Sequence, residues 1–261
     1  MPDRVRLFGM DIDRLTLGDA VTRLSSWLAD SPRPCRYVVT PNVDHAVLVQ
    51  HHEGLRAAYQ DASLVVADGM PVVWASRLLR RPLPERVTGS DLVPALYTSA
   101  SNERPLRTYL LGAMPGVAER AAKNIAQRWP TVEVVGTYSP PFGFEHDAAE
   151  NERILEKIAA VRPDVLIVGV GAPKQELWVH ANRDRIDASL AICAGATIDF
   201  LAGEKRRAPG WMRRTGLEWL HRCATEPRRL LKRYLRDAAV FPGLLWREWR
   251  CNTRPCLKTR F

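Results

Sequence analysis

The sequence predicts an α/β fold built on a parallel β-sheet that helices cover on both faces. Short apolar runs alternate with amphipathic segments along most of the chain, as in strands joined by crossover helices. The run from Val165 to Val168 is apolar throughout, which is typical of a strand buried on both faces of a sheet. Four predicted strands end in clusters of polar residues and glycine. Parallel sheets bind ligands beyond those strand ends.

The first half of the chain is predicted to contain three strands and four helices, delimited by apolar runs and by capping or turn residues. In order, these are a strand over Arg4–Phe8, a helix over Leu17–Leu28 capped by Thr16, a strand over Arg36–Val39, a helix ending near His51, a strand over Leu64–Ala67, a helix through Leu79 and a helix from Leu92.

The second half continues the alternation, with a Pro/Gly-rich loop at Ser139–Gly143. Its predicted elements are a strand over Leu106–Leu111, a helix over Val117–Trp129, a strand over Val132–Val135, a helix over Ala148–Val161, the strand over Val165–Val168, a helix from Pro173 and a strand over Leu190–Ala194.

The stretch Asp164–Trp178 is the centre of this pattern. Gly169 and Gly171 let the backbone turn after the strand, and Pro173 suits the first position of a helix. The unpaired amides of that helix would attract an anion such as a nucleotide diphosphate. The residues of the first turn that can reach the same pocket are Lys174, Gln175 and Glu176. A Gly-Val-Gly without a third glycine is only a weak signature of dinucleotide binding. An ordinary βα turn with no ligand is therefore the alternative interpretation.

The other clusters at strand ends are Thr40–Asp44, Asp68–Pro71 and Gly112–Gly116. Asp68 follows an apolar strand directly, so a partly desolvated carboxylate there would suit a general base, although a helix cap is the simpler interpretation. Thr40 and Asn42 offer a hydroxyl and an amide to sugar hydroxyls, or serve only in a turn.

Neither zinc-like nor catalytic metal spacing is present in the sequence. Asp11 and Asp13 form a DxD pair, the metal-diphosphate ligand of many sugar transferases, but they precede the predicted core and lack a strand-end context. The five cysteines show no CxxC spacing, and we expect Cys251 and Cys256 to be plain thiols. The sequence therefore predicts no bound metal and no cofactor.

Charge is distributed unevenly over the 261 residues. Residues 203–261 carry 16 Lys and Arg against 5 Asp and Glu, a net charge of +11, whereas residues 1–202 carry 22 against 24, a net charge of −2. No apolar run reaches the roughly 18–20 residues that cross a bilayer, and the N-terminus lacks a signal-peptide core, so a cytoplasmic protein is expected. The basic tail indicates a negatively charged partner.

The tail also carries an amphipathic segment between Arg228 and Ala239. Its apolar residues, predicted to share one helical face, are Leu230, Leu231, Tyr234, Leu235 and Ala238. Its basic residues, predicted on the opposite face, are Arg228, Arg229, Lys232, Arg233 and Arg236. Tryptophans in the same quarter of the chain are Trp211, Trp219, Trp246 and Trp249. The pattern favours an interfacial helix on an anionic membrane; nucleic acid and a merely solvated basic face are the alternatives.

Five stretches together resemble the bacterial WecG/TagA/CpsF glycosyltransferases. They are TPNVDH (Thr40–His45), ADGMP (Ala67–Pro71), RVTGSDL (Arg86–Leu92), GVGAPKQE (Gly169–Glu176) and the long stretch Gly195–Leu235 that contains GATIDFLAGEKRRAPGWMRR. The resemblance spans about Val5 to Leu235. This sequence has Ile198 where the family usually has Phe, and Cys223 where it has Leu, and both changes concern packing only.

The resemblance implies a metal-independent, inverting transferase that moves a sugar from a UDP donor to an undecaprenyl-diphosphate-linked sugar in surface polysaccharide or cell-wall synthesis. It implies a Rossmann-like catalytic core over residues 1–202 and a basic, membrane-binding helical appendage over residues 203–261. The enzyme would lie on the inner face of the plasma membrane, with no nucleic-acid partner. Association into a homo-oligomer is left open, and the transferred sugar is N-acetylmannosamine, its uronic acid or glucose.

The resemblance also implies roles for individual residues. Asp68 would be the base, with Thr40 and Asn42 beside the acceptor. Arg86 and Gln175 would be pocket residues and Asp199 a donor-binding position, with Arg222, Arg229 and Arg233 closing over the diphosphates. Lys232 is the alternative for the last of these positions. The glycine loop and the first helical turn add Gly169, Gly171, Lys174 and Glu176 as candidates for donor or acceptor binding.

Two other classes of function use similar features. A nicotinamide-dependent oxidoreductase would place GxGxxG in the first βα unit with an acidic residue about 20 positions later, which this sequence lacks. A nucleic-acid-binding protein would explain the basic tail, and it would bind DNA with a steep salt dependence but would not bind lipid vesicles.

Overall fold

The structure is a computed structural model that describes residues 3–29 and 35–253. Within these ranges, five side chains on helices lie outside the description, namely Arg214, Arg228, Arg229, Asn252 and Thr253. The predicted site residue Arg229 is thus placed by its backbone only, and Cys256 lies outside the described residues.

The described residues form eight strands and twelve α-helices. The strands are β1 (Arg4–Leu7), β2 (Met10–Asp13), β3 (Arg36–Val39), β4 (Leu64–Val65), β5 (Leu106–Gly112), β6 (Val132–Tyr138), β7 (Val165–Gly169) and β8 (Leu190–Cys193). The helices are α1 (Leu17–Ala29), α2 (Val43–Leu48), α3 (Glu53–Gln60), α4 (Met70–Leu78), α5 (Gly89–Thr98), α6 (Val117–Arg128), α7 (Ala148–Val161), α8 (Lys174–Asn182), α9 (Thr197–Leu201), α10 (Gly210–Arg214), α11 (Glu218–Thr225) and α12 (Pro227–Thr253).

Six strands form one sheet in the order β4-β3-β8-β7-β5-β6. Every neighbouring pair in it is parallel, so the predicted α/β class with a Rossmann-like parallel sheet is confirmed. Parallel pairing brings the carboxyl ends of β3, β4, β5, β7 and β8 to one edge. The loops and helix starts that carry the predicted site residues leave the sheet at that edge.

Helices cover both faces of this sheet, as predicted. Along β7, Leu166 and Val168 join the hydrophobic core of one face, while Val165 and Ile167 join that of the other. This alternation follows from the two-residue period of a strand. Helices α2, α4, α8 and α12 pack on the first face, and α1, α5, α6 and α9 pack on the second.

The N-terminal strand does not belong to the main sheet. It pairs antiparallel with β2, an element that the sequence analysis did not predict, in a separate two-stranded sheet. Asp13 of β2 is buried, lies 3.1 Å from Arg4 Nε and 3.3 Å from Arg23, and accepts the backbone N–H of Val65 at 2.9 Å. Asp11 pairs with an exposed arginine on the hairpin surface. Asp13 is therefore structural, and Asp11 lies on the surface of the hairpin.

The C-terminal helix α12 packs directly on the core. Helix α12 extends well beyond the predicted segment, and Leu244 near its end is buried in the first-face core. The Phe8 ring in the β1–β2 turn lies 5.1 Å from the ring of Phe241, and the Phe8 N–H donates to Glu248 at 2.9 Å. Among the described residues, no helix combines the length and the apolar character that spanning a membrane requires.

The orientation of α12 toward the core was not predicted from the sequence. Leu230 is buried, but Leu231 and Leu235 are exposed, so the apolar residues divide between two directions. Arg233 and Arg236, predicted to face away from the apolar side, both pair with the buried carboxylate of Asp44 on α2. A buried acid is costly to leave unpaired, and it draws these two arginines onto the core.

Candidate functional site

Two cavities open at the carboxyl ends of the parallel strands. The first, of about 590 Å³, is bordered by the loops after β3, β5, β7 and β8. The second, of about 430 Å³, lies between the start of α4 and helices α11 and α12. All four predicted clusters contribute to the first cavity, so their predicted common position is confirmed. The residues that line both cavities are Asn42, Asp68, Ser90, Phe200, Arg222 and Arg233.

The loop between β7 and α8 lines the first cavity. A Cβ atom on Gly169 would lie 2.8 Å from the carbonyl oxygen of Gly195, so no side chain fits there. Gly171 adopts a φ of +90°, which glycine tolerates best. Pro173 follows a cis peptide bond and caps α8, so the helix begins one residue later than predicted. The chain thus exposes backbone to the cavity at this turn.

A buried polar network lies directly behind this loop. The Gln175 side chain accepts the N–H of Gly195 at 3.2 Å and donates to Glu176 Oε1 at 2.8 Å. Glu176 is fully buried and lies 3.4 Å from His45 Nε2, and the other His45 nitrogen lies 3.0 Å from Asn42 Oδ1. Gln175 and Asn42 line the first cavity, whereas Glu176 lies behind its wall. Glu176 therefore holds in place the cavity-lining side chains of Gln175 and His45.

The carboxylates around His45 raise its pKa. Burial by itself lowers the pKa of the imidazole, but the carboxylate of Glu176, with smaller contributions from Asp44 and Asp68, reverses the effect and raises it. Protonated His45 is thus favoured beside Glu176, and the pair links α2 to α8 beneath the cavity.

Asp68 stands where the two cavities meet. It lies between β4 and the start of α4, is half-buried and lines both cavities. Among the described residues, no hydrogen bond or ion pair occupies its carboxylate. Burial raises its pKa from 3.8 to about 6, against the opposing charges of Arg86 and Arg222. A half-desolvated, unpaired carboxylate with this pKa suits a general base near neutral pH.

Thr40 and Asn42 lie beside Asp68, as predicted. The Thr40 hydroxyl donates to the Cys193 carbonyl at 3.2 Å, and its oxygen keeps its lone pairs for a ligand in the first cavity, which Thr40 lines. Asn42 caps α2, and its Cβ would be 3.5 Å from a Cβ built on Gly69 at the start of α4. The three predicted catalytic residues are thus brought together.

Arg86 lines the second cavity and is already paired. Its guanidinium lies 2.6 Å from Glu218 of α11 and 3.5 Å from Asp91 of α5. Arg207 joins the same network through Asp91 at 2.6 Å. These ion pairs hold α11 against the core, so Arg86 has a structural role, and its binding role stays a prediction.

The predicted tail arginines differ in their surroundings. Arg222 lines both cavities, and within the described residues its guanidinium makes no ion pair. Arg233 also lines both cavities and lies 3.5 Å from Asp44. Lys232 is exposed and lines neither cavity, which favours Arg233 for the last predicted position. The side chain of Arg229 does not belong to the part of the chain that the structure describes.

The remaining predicted residues lie on the far side of the first cavity. Lys174 pairs with Glu145, and Asp199 lies 3.0 Å from Lys205. Lys205 and Ser90 line the cavity as well, and the sequence analysis did not select them. Ser90 stands in the RVTGSDL stretch and Lys205 in EKRR, so both signals were present but were interpreted as a helix cap and as tail charge. Among the described residues, no group of three or more His, Cys, Asp and Glu is placed to hold a metal ion.

Comparison with known proteins decides the family. Residues 5–255 match the family described as glycosyl transferase WecG/TagA/CpsF. The chain belongs to the WecG/TagA/CpsF glycosyltransferase family. A relative in Staphylococcus aureus strain NCTC 8325, N-acetylglucosaminyldiphosphoundecaprenol N-acetyl-beta-D-mannosaminyltransferase, is 28% identical over 229 residues, which cover 87% of each chain. The protein of the same name in strain MRSA252 has the same identity and coverage.

In this WecG/TagA/CpsF glycosyltransferase, the five stretches that suggested the family contribute to the two cavities at the strand ends. TPNVDH supplies Thr40, Asn42 and His45, ADGMP supplies Asp68, and GVGAPKQE supplies the glycine loop. RVTGSDL and the tail meet across the second cavity through Arg86 and Glu218. Residues far apart in sequence thus converge on the junction that holds the free carboxylate.

Proposed function

We propose that this protein is an inverting, metal-independent glycosyltransferase that moves a sugar from a UDP donor to an undecaprenyl-diphosphate-linked N-acetylglucosamine. The observation that carries the proposal is the position of Asp68, an unpaired carboxylate at the meeting point of two cavities. An inverting transfer needs a donor on one side of the base and an acceptor hydroxyl on the other. The names of the staphylococcal relatives support N-acetylmannosamine as the sugar.

The first cavity suits the nucleotide-sugar donor. Its wall is a strand–glycine loop–helix unit, a structure whose free amides bind diphosphates. Lys174 and Lys205 line the cavity beside their partners Glu145 and Asp199. The Gln175 amide and the Asp199 carboxylate offer partners for ribose or sugar hydroxyls. A volume of about 590 Å³ lies within the usual range for small-molecule sites.

The second cavity suits the lipid-linked acceptor. Its lining combines apolar groups, among them Met70, Trp219 and Phe241, with the cationic side chains of Arg222 and Arg233 near Asp68. Arginine binds phosphate oxygens through paired N–H donors. A diphosphate next to the arginines would place the acceptor sugar toward Asp68 and the lipid toward the apolar end.

The reaction follows from this arrangement. Asp68 takes the proton of the acceptor hydroxyl as that oxygen forms a bond to the anomeric carbon. The bond from the anomeric carbon to the diphosphate oxygen breaks, and UDP leaves with its electron pair. Arg222, which lines both cavities, stabilises the negative charge that develops on UDP. Thr40 and Asn42 hold the sugars beside the base.

We also propose that residues 203–261 act as an appendage that holds the enzyme on the inner face of an anionic membrane. Helix α12 exposes Leu231, Leu235, Trp246 and Trp249, and its exposed Arg250 adds charge near the tryptophans. Tryptophan and basic residues on one helix are typical of interfacial binding. Salt should therefore weaken vesicle binding.

Release of UDP tests the proposal directly. The enzyme is incubated with each UDP-sugar in turn and with a short-chain lipid-diphosphate-linked N-acetylglucosamine. We expect acceptor-dependent UDP release with one donor, UDP-N-acetylmannosamine, in preference to its uronic acid or to UDP-glucose. Absence of acceptor-dependent release with every UDP-sugar would refute the donor class, and NMR of a product that retains the anomeric configuration would refute inversion.

A further inference from the structure

We propose that helix α4 of the core is a second membrane-binding element, whose exposed face enters the interface of an anionic bilayer beside the second cavity. The inference rests on the proposed function, because it assigns a membrane face to an enzyme whose acceptor is a lipid. It extends the membrane contact from the appendage to the helix that begins two residues after Asp68.

The outward face of α4 is apolar where a surface helix is normally polar. Val72, Val73 and Ala75 are buried in the core, whereas Trp74 is 44% exposed and Leu78 is 62% exposed. These two residues are four positions apart, so they lie next to one another on one side of the helix. A neighbouring pair of exposed Trp and Leu resembles the apolar face of interfacial helices.

Basic residues border this apolar pair. Arg77 and Arg80 are exposed, and neither forms an ion pair with any described residue. Their charges are complementary to anionic lipid headgroups and are free to meet them. A second copy of the chain is a poorer partner, because a two-fold contact through this face would bring like charges together.

Helix α4 and the tail helices form a continuous surface around the second cavity. The turn before α11 packs against α4 so closely that a Cβ on Gly216 would lie 2.9 Å from Trp74 Cζ2. The ring centroids of Trp219 on α11 and Tyr234 on α12 lie 6.1 Å apart, and both residues line the second cavity. Met70 in the first turn of α4 lines its opposite side.

This geometry gives the acceptor lipid a route to the base. Helix α4 has nine residues and is therefore about 13 Å long, so its exposed face lies close to Asp68. With both α4 and α12 in the interface, the apolar end of the second cavity opens to the bilayer. The polyprenyl chain can then remain in lipid while its diphosphate reaches Arg222.

The test uses the full-length enzyme with the double substitution Trp74→Gln and Leu78→Gln. Glutamine is a good helix former and neither side chain is buried, so α4 is expected to stay folded. Binding is measured by sedimentation with vesicles of equimolar phosphatidylcholine and phosphatidylglycerol. Loss of this apolar contact should weaken binding roughly tenfold or more. Transfer to an acceptor embedded in those vesicles should fall, while transfer to a short-chain, water-soluble acceptor should be unchanged.

Two charge-reversal variants distinguish binding through the α4 surface from a general effect of the protein's net charge. Arg77→Glu should weaken binding to the same vesicles roughly tenfold, whereas Lys123→Glu on α6, exposed on the opposite side of the sheet, should have little effect. Equal effects of the two reversals, or unchanged binding of the double variant, would overturn the inference.

Two further outcomes would separate a failure of this inference from a failure of the proposed function. If the double variant dissociates a dimer seen by analytical ultracentrifugation without losing vesicle binding, the face is a contact between copies and the inference is wrong. If the wild type binds vesicles through Trp74 and Leu78 but transfers no sugar to either acceptor, the proposed function fails while the membrane surface stands.

Discussion

Replacing Asp68 by Asn should make the protein more stable and nearly inactive. The substitution keeps the shape of the side chain and removes its ability to accept a proton. Loss of a general base typically lowers turnover by about 10²–10⁴-fold. UDP binding should change little, because the ligand groups of the first cavity remain in place.

The gain in stability follows from the position of Asp68. Burial raises the pKa of this carboxyl from 3.8 to about 6 in the folded protein. Ionisation therefore costs the folded state about 2–3 kcal/mol more than the unfolded state, the lower figure allowing for the partial exposure of the group. The cost is absent below the unfolded value of 3.8, where both states are protonated, and complete above about 6, where both are ionised. The neutral amide of the Asp68→Asn variant would carry no such cost.

Chemical denaturation of both proteins over a range of pH measures this difference. Near pH 7.5 the free energy of unfolding of Asp68→Asn should exceed that of the wild type by about 2–3 kcal/mol, and the excess should vanish as pH falls toward about 4. In parallel, wild-type kcat/KM should decline as pH falls below about 6, because the base becomes protonated. A stability difference that does not change with pH, or near-normal turnover of the variant, would refute the reasoning.

Four other predictions test the remaining parts of the site. Arg222→Gln should lower kcat/KM roughly 100-fold with little change in Tm, because the arginine faces both cavities without a protein partner among the described residues; a large drop in Tm would indicate a structural role instead. Glu176→Gln should lower kcat/KM roughly tenfold and bring the pKa of His45, followed by NMR, back down; an unchanged His45 titration would contradict the pairing. Activity should survive excess EDTA, and restoration of a chelated enzyme by Mg²⁺ or Mn²⁺ would contradict metal independence. Truncation after Ala202 should leave a folded core that has lost vesicle binding and transfer and is less stable than the full chain, because Leu244 and the arginine partners of Asp44 are gone; full activity of that core on the lipid-linked acceptor would contradict the role of the appendage.

The central sheet could be predicted from the sequence because its inner strands β7 and β8 are apolar runs and its other strands are mostly apolar. Residues buried on both faces of a parallel sheet leave a signal that local composition alone reveals. A helix was also expected near Ala148–Val161, where α7 lies. The common edge of the strand-end clusters followed from topology. The meeting of Asp68, Thr40 and Asn42 was therefore predictable from the sequence alone.

The elements that were missed depend on partners distant in sequence. Strand β2 contains Asp11 and Asp13, and the second acid is compatible with a buried strand only because Arg4 and Arg23 reach it. Helix α3 is capped by the His52 side chain, and histidine is not among the residues that usually signal a helix start. The orientation of α12 depends on Asp44, which no local pattern reveals.

The cations of the candidate site divide into two groups, and this division shows how a near-neutral core and a basic tail could together form the proposed catalytic centre. Arg86 and Arg207 are paired with Asp91 and Glu218, so they fasten α11 to the sheet and have little charge left for a ligand. Arg222, carried in on that fastened helix, is unpaired within the described chain and faces both cavities. A cation held without a protein partner beside a diphosphate site gains most when phosphate arrives, because no existing ion pair has to break. The acids that bind the tail to the core thus leave Arg222 available to the leaving group that the proposed reaction requires, and in that proposal its charge would take the place of a metal ion.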